Sequence, residues 1–286
     1  DWEELKEHNK RSAGILLSGG SGFCSGALIN NTSNEGTPYF LTANHCFSNP
    51  SSWAFRFGWI SPTPVCATTA PSTNGPTNMT VQGSTRLVNS STSDVALLRL
   101  SETPPADYEV HYAGWDATGI TPSTPVGIHH PSGDIKKISF DYNNASNAGN
   151  YWDVNQWEDG TTEPGSSGSP LFDGNSKRII GQLYGGAAAC AGTVDNNQYD
   201  YYGRMGVSWN NGLDTFLAPT SCGTSTLTDD GWDPNTPTLP DDAGISSVNS
   251  PLGPYCINNF DPEITLRNYG TNNLTTVSIN YDIDGT

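Results

Sequence analysis

The sequence predicts an all-β protein: two small antiparallel barrels in series, closed by a short C-terminal helix and followed by a separate β segment. Three observations predict it. Charged residues make up only 14% of the 286-residue chain, while 31 glycines and 20 prolines punctuate it, the composition of short strands joined by tight turns. The apolar, β-branched and aromatic runs fall into two series that meet at Pro104-Pro105. Beyond residue 221 the composition shifts to Thr, Ser, Pro, Asp and Gly with little periodicity, which separates a tail from the body.

Residues 1–10 hold acidic side chains first and basic ones later, the charge order of a short surface helix. The first series of strand-like runs covers 13–17, 24–29, 39–42, 53–59, 79–88 and 94–100, with a Pro- and Thr-rich loop at 61–78 anchored by Cys66. The second covers 110–115, 125–129, 135–140, 151–157, 170–172, 178–184 and 199–207. Residues 211–218 are the best later helix, with Leu213, Phe216 and Leu217 on one face. Residues 221–249 read as a linker, and 263–270 and 275–281 as alternating strands joined by a turn.

A net charge of −17 and a pI near 4.3 disfavour nucleic acid or an anionic membrane as partner; the acidity keeps an exported protein soluble. No apolar run approaches the roughly 18 residues of a membrane span, and no leader precedes Asp1, so a soluble, already processed chain is expected. The six cysteines show no Cys-x-x-Cys spacing, which favours disulfides in an oxidising, extracellular compartment over zinc. His129 and His130 are adjacent, and neighbours on a strand point to opposite faces, so no metal site is expected there. His8 and His111 suggest no role beyond surface or core.

Gly165-Ser166-Ser167-Gly168-Ser169-Pro170 is a glycine-flanked turn that would expose the hydroxyl of Ser167. The N–H groups of Gly165 and Ser167 would then converge on the oxyanion of a tetrahedral intermediate. A serine nucleophile needs a base and a carboxylate that orients it. His45 lies in Phe40-Leu41-Thr42-Ala43-Asn44-His45-Cys46 at a strand end, and Asp94 opens the apolar run 95–100. The catalytic candidates are therefore His45, Asp94 and Ser167, in that order along the chain.

These three segments and their order resemble the chymotrypsin clan of serine proteases, and within it the bacterial lysyl endopeptidase family over about residues 13–218. The family blocks include Tyr39-Phe40-Leu41-Thr42-Ala43, Ala113-Gly114-Trp115-Asp116, Ile128-His129-His130-Pro131, Thr162-Glu163-Pro164 running into the serine turn, and Tyr202-Gly203-Arg204. The resemblance implies a chymotrypsin-like fold of two six-stranded antiparallel β-barrels, at about 1–105 and 106–220, with the active site in a cleft between them. It implies a monomeric, secreted bacterial serine endopeptidase acting on protein or peptide substrates, without cofactor or metal, and cutting after basic residues, preferably lysine. Asp200 matches the family's specificity carboxylate, Tyr184 and Gly185 line the substrate cleft, and Cys24 and Cys46 match the pair that staples the histidine loop. The protease domain is expected over 1–220, the linker over 221–249 and a truncated β-sandwich module over 250–286, with the chain beyond about Thr220 dispensable for cleavage.

The chain departs from that pattern in places. Tyr184 stands where the family has a histidine, no tryptophan is assigned to the substrate wall, and Trp152 and Trp157 read as core. Cys66 and Cys190 match positions whose partners lie upstream of Asp1 in the family, so the natural protein is expected to start earlier; their pairing, and that of Cys222 and Cys256, stays open. Ser166 stands where much of the clan has an acidic residue that binds a newly cut N-terminus, so activation through that ion pair is not expected. Glu163 is expected to shape the serine loop. Two rival readings remain: the same enzyme with Arg/Lys or acidic specificity, and an inactive binding protein on the same fold.

Overall fold

The fold comes from a computed structural model that describes residues 9–46, 48–62, 75–219, 226–235, 243–250, 263–268, 273 and 275–279. Strands form where apolar and small residues alternate between turn signals. β1 (Ala13–Ser18), β2 (Ser21–Leu28), β3 (Tyr39–Ala43), β4 (Ala54–Arg56), β5 (Thr80–Gln82), β6 (Ser84–Ser90) and β7 (Val95–Leu100) make one antiparallel seven-stranded sheet in the order β5-β4-β1-β2-β3-β7-β6. The run at 79–88, expected as one strand, is split at Gly83 (φ +76°), which turns the chain between β5 and β6 and makes seven strands of six runs.

The second sheet has nine strands. They are β8 (Tyr112–Asp116), β9 (Val126–His129), β10 (Lys137–Phe140), β11 (Ser146–Ala148), β12 (Tyr151–Val154), β13 (Pro170–Phe172), β14 (Ile179–Gly186), then, past the small hairpin β15 (Cys190–Ala191) and β16 (Val194–Asp195), β17 (Asp200–Arg204) and β18 (Thr228–Trp232). Its path is β10-β9-β13-β14-β17-β12-β11, with β8 beside β14 and β18 beside β8.

Each sheet wraps its own core. Leu16, Phe40, Trp53, Phe55 and Leu98 fill the first, and Trp152, Val154, Trp157, Leu171 and Tyr202 the second. A third cluster, with Leu41, Leu97, Trp115, Ile179, Met205 and Leu213, takes residues from both sheets and the closing helix. Burying these large side chains is the main driving force for joining the sheets. Polar bonds then fix their alignment: Ser25 N–H donates to Ser167 O at 2.8 Å, Asn30 N–H to Ala113 O at 2.9 Å, and Gln182 Nε2 to Ser93 O at 2.7 Å.

The closing helix starts earlier than expected. Helical turns run Met205–Ser208, Trp209–Leu213 and Asp214–Leu217, kinked at Gly212 (φ +112°). Leu213 and Leu217 are buried and Phe216 packs edge-on against Tyr39, as the apolar face required. Of the N-terminal helix only a turn at Lys10–Ser12 falls within the described residues.

The tail departs from the sequence reading. Inside the stretch read as a linker, β18 pairs antiparallel with β8, Thr228 opposite Asp116 and Trp232 opposite Tyr112. Arg178 holds Asp230 at 2.6 Å, Arg11 holds Asp233, and Asn30 Nδ2 donates to Asp229 at 2.8 Å. Side chains decide this pairing, which is why a turn-rich composition did not announce it. Contacts divide the chain into two units, the first including residues 226–234 and the second the strands Ala243–Ser250 and Glu263–Asn268, here β19 and β20. β20 pairs with β19, residues 275–279 carry no strand, and 280–281 lie outside the described residues. No helix among the described residues is long and apolar enough to cross a membrane.

Candidate active site

β3 ends at Ala43 and delivers a single helical turn, Asn44–Cys46, that carries His45. The turn before β7 ends at Asp94, buried and held in the left-handed region at φ +55°. That conformation aims both carboxylate oxygens at the neighbouring turn. Oδ1 accepts the His45 backbone N–H at 2.8 Å, and Oδ2 lies 2.6 Å from His45 Nδ1. Asn44 N–H also donates to Asp94 O at 2.8 Å. The imidazole is partly exposed while its carboxylate partner is not. Such a pair fixes one tautomer of the ring and leaves Nε2 to accept a proton.

Ser167 comes from the second sheet, on the turn before β13. Gly165 and Gly168 have φ of +99° and +80°, values that other residues rarely adopt. A Cβ on Gly168 would lie 2.2 Å from Thr42 Oγ1 and 2.6 Å from Ala43 N, so only glycine lets this turn press against the end of β3. The carbonyl of Ser167 lies 3.8 Å from Cys46 Sγ, beside His45. In the turn, the N–H groups of Ser166, Gly168 and Ser169 donate to Glu163, Leu183 and Ser166. No acceptor among the described residues takes the N–H groups of Gly165 and Ser167. Ser166 and Ser169 are fully buried, whereas Ser167 is half-buried.

Tyr184 is exposed, its ring 6.0 Å from the His45 ring and nearly perpendicular to it. Tyr151, which sequence reasoning missed, packs 5.2 Å from Tyr184 and 6.4 Å from Tyr201. The alternation of β12 could have found it, because Tyr151 and Asp153 are half-buried while Trp152 and Val154 are buried. Gly185, at φ +145°, has open space where a side chain would stand.

Asp200 opens β17 and is 1% exposed, where a carboxylate is rarely found without partners. Its Oδ2 accepts Trp157 Nε1–H at 2.8 Å and Thr162 Oγ1–H at 2.6 Å. Burial pushes its carboxyl up to about 6, and those two donors oppose the rise. Trp157 is core, as read, and a partner of Asp200 as well; Trp152 donates instead to Ile180 O at 3.1 Å. Thr162 stood in the sequence only as part of a family block, and nothing there marked its bond to Asp200, since a threonine beside a serine loop is ordinary.

Cys24 and Cys46 are bonded, with Cα atoms 6.3 Å apart, and the bridge ties β2 to the turn of His45. Cys190 is exposed with no disulfide partner among the described residues, and Cys66, Cys222 and Cys256 lie outside them. Among the described residues, Cys24, His45 and Cys46 are the only cluster with metal-ligand spacing, and their sulfurs are already joined to each other. His129 and His130 do not converge. His129 bonds the hydroxyls of Ser166 and Ser139, each at 2.9 Å, whereas His130 Nδ1 faces Asp134 O and its ring stacks on Trp59.

Residues 1–203 match the protein family described as lysyl endopeptidase, C-terminal domain. Over 196 residues the chain is 35% identical to a lysyl endopeptidase of Pseudomonas aeruginosa, an alignment that covers 64% of this chain and 41% of that protein. Among solved structures, human heparin binding protein superposes with a TM-score of 0.52 at 14% identity, over 76% of this chain and 96% of that one, a likeness of fold. The chain thus spans about two fifths of the curated relative's length, and it belongs to the lysyl endopeptidase family of trypsin-like serine proteases.

Proposed function

We propose that this chain is a secreted bacterial serine endopeptidase that hydrolyses peptide bonds after basic residues, preferentially lysine. The observation that carries the reading is the 2.6 Å contact between Asp94 and His45, set beside a glycine-strained turn with two unclaimed N–H groups. Ser167 Oγ attacks the scissile carbonyl carbon while His45 Nε2 takes its proton, and Asp94 holds the imidazole tautomer and the imidazolium that forms. The N–H groups of Gly165 and Ser167 stabilise the oxyanion. Collapse of the tetrahedral intermediate breaks the C–N bond, and His45 returns the proton to the leaving amine. Water then attacks the acyl-enzyme by the same route and releases Ser167. Asp200 presents a buried charge to the side chain preceding the cut bond, with Tyr184 and Gly185 along the substrate path. Residues 1–220 together with β18 form the protease domain of two barrels, and it acts as a monomer on protein or peptide substrates. A tail module follows it.

Mass spectrometry of the fragments from a denatured protein digest tests the reading. Termini at lysine are expected, and labelling by an organophosphate should fall on Ser167. A digest with cuts after acidic residues, or no cleavage and no labelling, would overturn it.

A further inference from the structure

The carboxylate of Asp200 is asymmetric. Oδ2 is saturated by the indole N–H of Trp157 and the hydroxyl of Thr162, both buried donors. Among the described residues no hydrogen bond reaches Oδ1. That oxygen lies against Gly186, where an added Cβ would sit 2.5 Å from Oδ1 and 2.1 Å from Tyr199 O, so a bare glycine backbone borders it. Neither donor can swing away: both indole and threonine side chain are packed, and Thr161 next door is tied by its hydroxyl to Asp195 Oδ1 at 2.8 Å.

The two basic side chains ask different things of a carboxylate. A guanidinium binds best through a planar fork that engages both oxygens, whereas an ammonium is a compact charge that one oxygen satisfies. We propose that Thr162 and Trp157 are positioning residues that select lysine over arginine by occupying Oδ2 and leaving Asp200 a single free oxygen. An arginine must either displace two good hydrogen bonds or bind one-handed with fork donors unpaired in a desolvated pocket, and either outcome costs binding. Lysine loses nothing by the arrangement. The inference rests on the reading of Asp200 as the carboxylate of the specificity pocket.

The test is a competition in one vessel between two peptides that differ only in lysine or arginine before the cut bond, so that the ratio of kcat/KM values is independent of how much enzyme is folded. Thr162→Val keeps the shape and removes a donor; Trp157→Phe keeps an aromatic ring and removes the other. Each is expected to lower the lysine-to-arginine ratio at least tenfold, the double variant further, while Thr162→Ser, which keeps the hydroxyl, stays within about twofold of the parent. A ratio within twofold of the parent in either valine or phenylalanine variant overturns the inference. A parent enzyme without lysine preference, or an Asp200→Asn variant that still prefers lysine, overturns instead the reading of Asp200 on which the inference rests.

Discussion

Nδ1 of His129 lies 2.9 Å from the hydroxyl of Ser166, the residue immediately before Ser167. Ser166 Oγ also accepts the Glu163 N–H at 3.2 Å, so all partners are satisfied when Ser166 donates to Nδ1 and His129 donates from Nε2 to Ser139 Oγ, 2.9 Å away. The position that carries an acid in much of the clan is thus held here by a neutral, fully buried chain of hydrogen bonds.

Two serines in one turn therefore have different duties. Ser167→Ala should lower kcat by about a millionfold. Ser166→Ala leaves His129 Nδ1 and the Glu163 N–H unpaired, and should cost about 1–3 kcal/mol of stability with a far smaller loss of turnover; Ser169→Ala should also be mild. Urea unfolding and active-site titration of the three variants check this, and an inactive Ser166→Ala beside an active Ser167→Ala would refute the register.

On the proposed reading of Asp200 as the specificity carboxylate, its burial trades stability for specificity. Its folded-state carboxyl titrates near 6, above the value of about 3.9 in an unfolded chain, so the unfolded state loses its proton first and stability falls as pH rises through that window. Asp200→Asn should therefore be more stable by about 2–3 kcal/mol at pH 8, with the advantage gone near pH 4. The same variant should lose at least about a hundredfold in kcat/KM on lysyl substrates while still accepting an organophosphate. Thermal melts at both pH values and paired kinetics decide it.

The same titration should show in substrate choice. Divided by the value for a substrate with a neutral side chain at that position, kcat/KM for a lysyl substrate should fall about tenfold per pH unit below 6, because the protonated carboxyl no longer pairs with the ammonium. A protonation that acts on the turnover of both substrates alike cancels in the ratio. A flat ratio between pH 7 and 4.5 would place the specificity charge elsewhere.

Burial holds His129 down to about 3, with Lys137 adding to the effect. The unfolded chain takes up this proton near 6.5, so the contribution of His129 to stability is present above that pH and is lost as pH falls toward 3. His129→Gln should remove about 1.4 kcal/mol per pH unit from the acid slope between pH 6 and 4. Denaturant melts across that range read the slope directly.

The tail is divided at a place composition did not mark. A chain ending at Pro240 keeps β18 and should retain its specific activity. One ending at Gly223 loses β18 with its Arg178–Asp230 pair and the Trp232 ring packed on Tyr112, and should be destabilised by at least about 3 kcal/mol. Equal melting temperatures for the two would show that β18 is dispensable.

The sequence by itself determined the class of fold and the candidate chemistry. The apolar runs at 94–100 and 178–184, the turn residues between runs, and three short segments in the order His45, Asp94, Ser167 are local patterns, readable because strand composition and turn chemistry are local. Family likeness supplied Asp200 and the Cys24–Cys46 pair. Only the tertiary structure decided which polar groups meet across the chain: Thr162 and Trp157 on one oxygen of Asp200, Ser166 on His129, Tyr151 beside Tyr184, and β18 against β8. These contacts join residues up to more than a hundred positions apart whose types are ordinary where they stand. Their roles arise from burial, which makes an unpaired polar atom costly and so forces each to find its partner, and burial is a property of the folded chain alone.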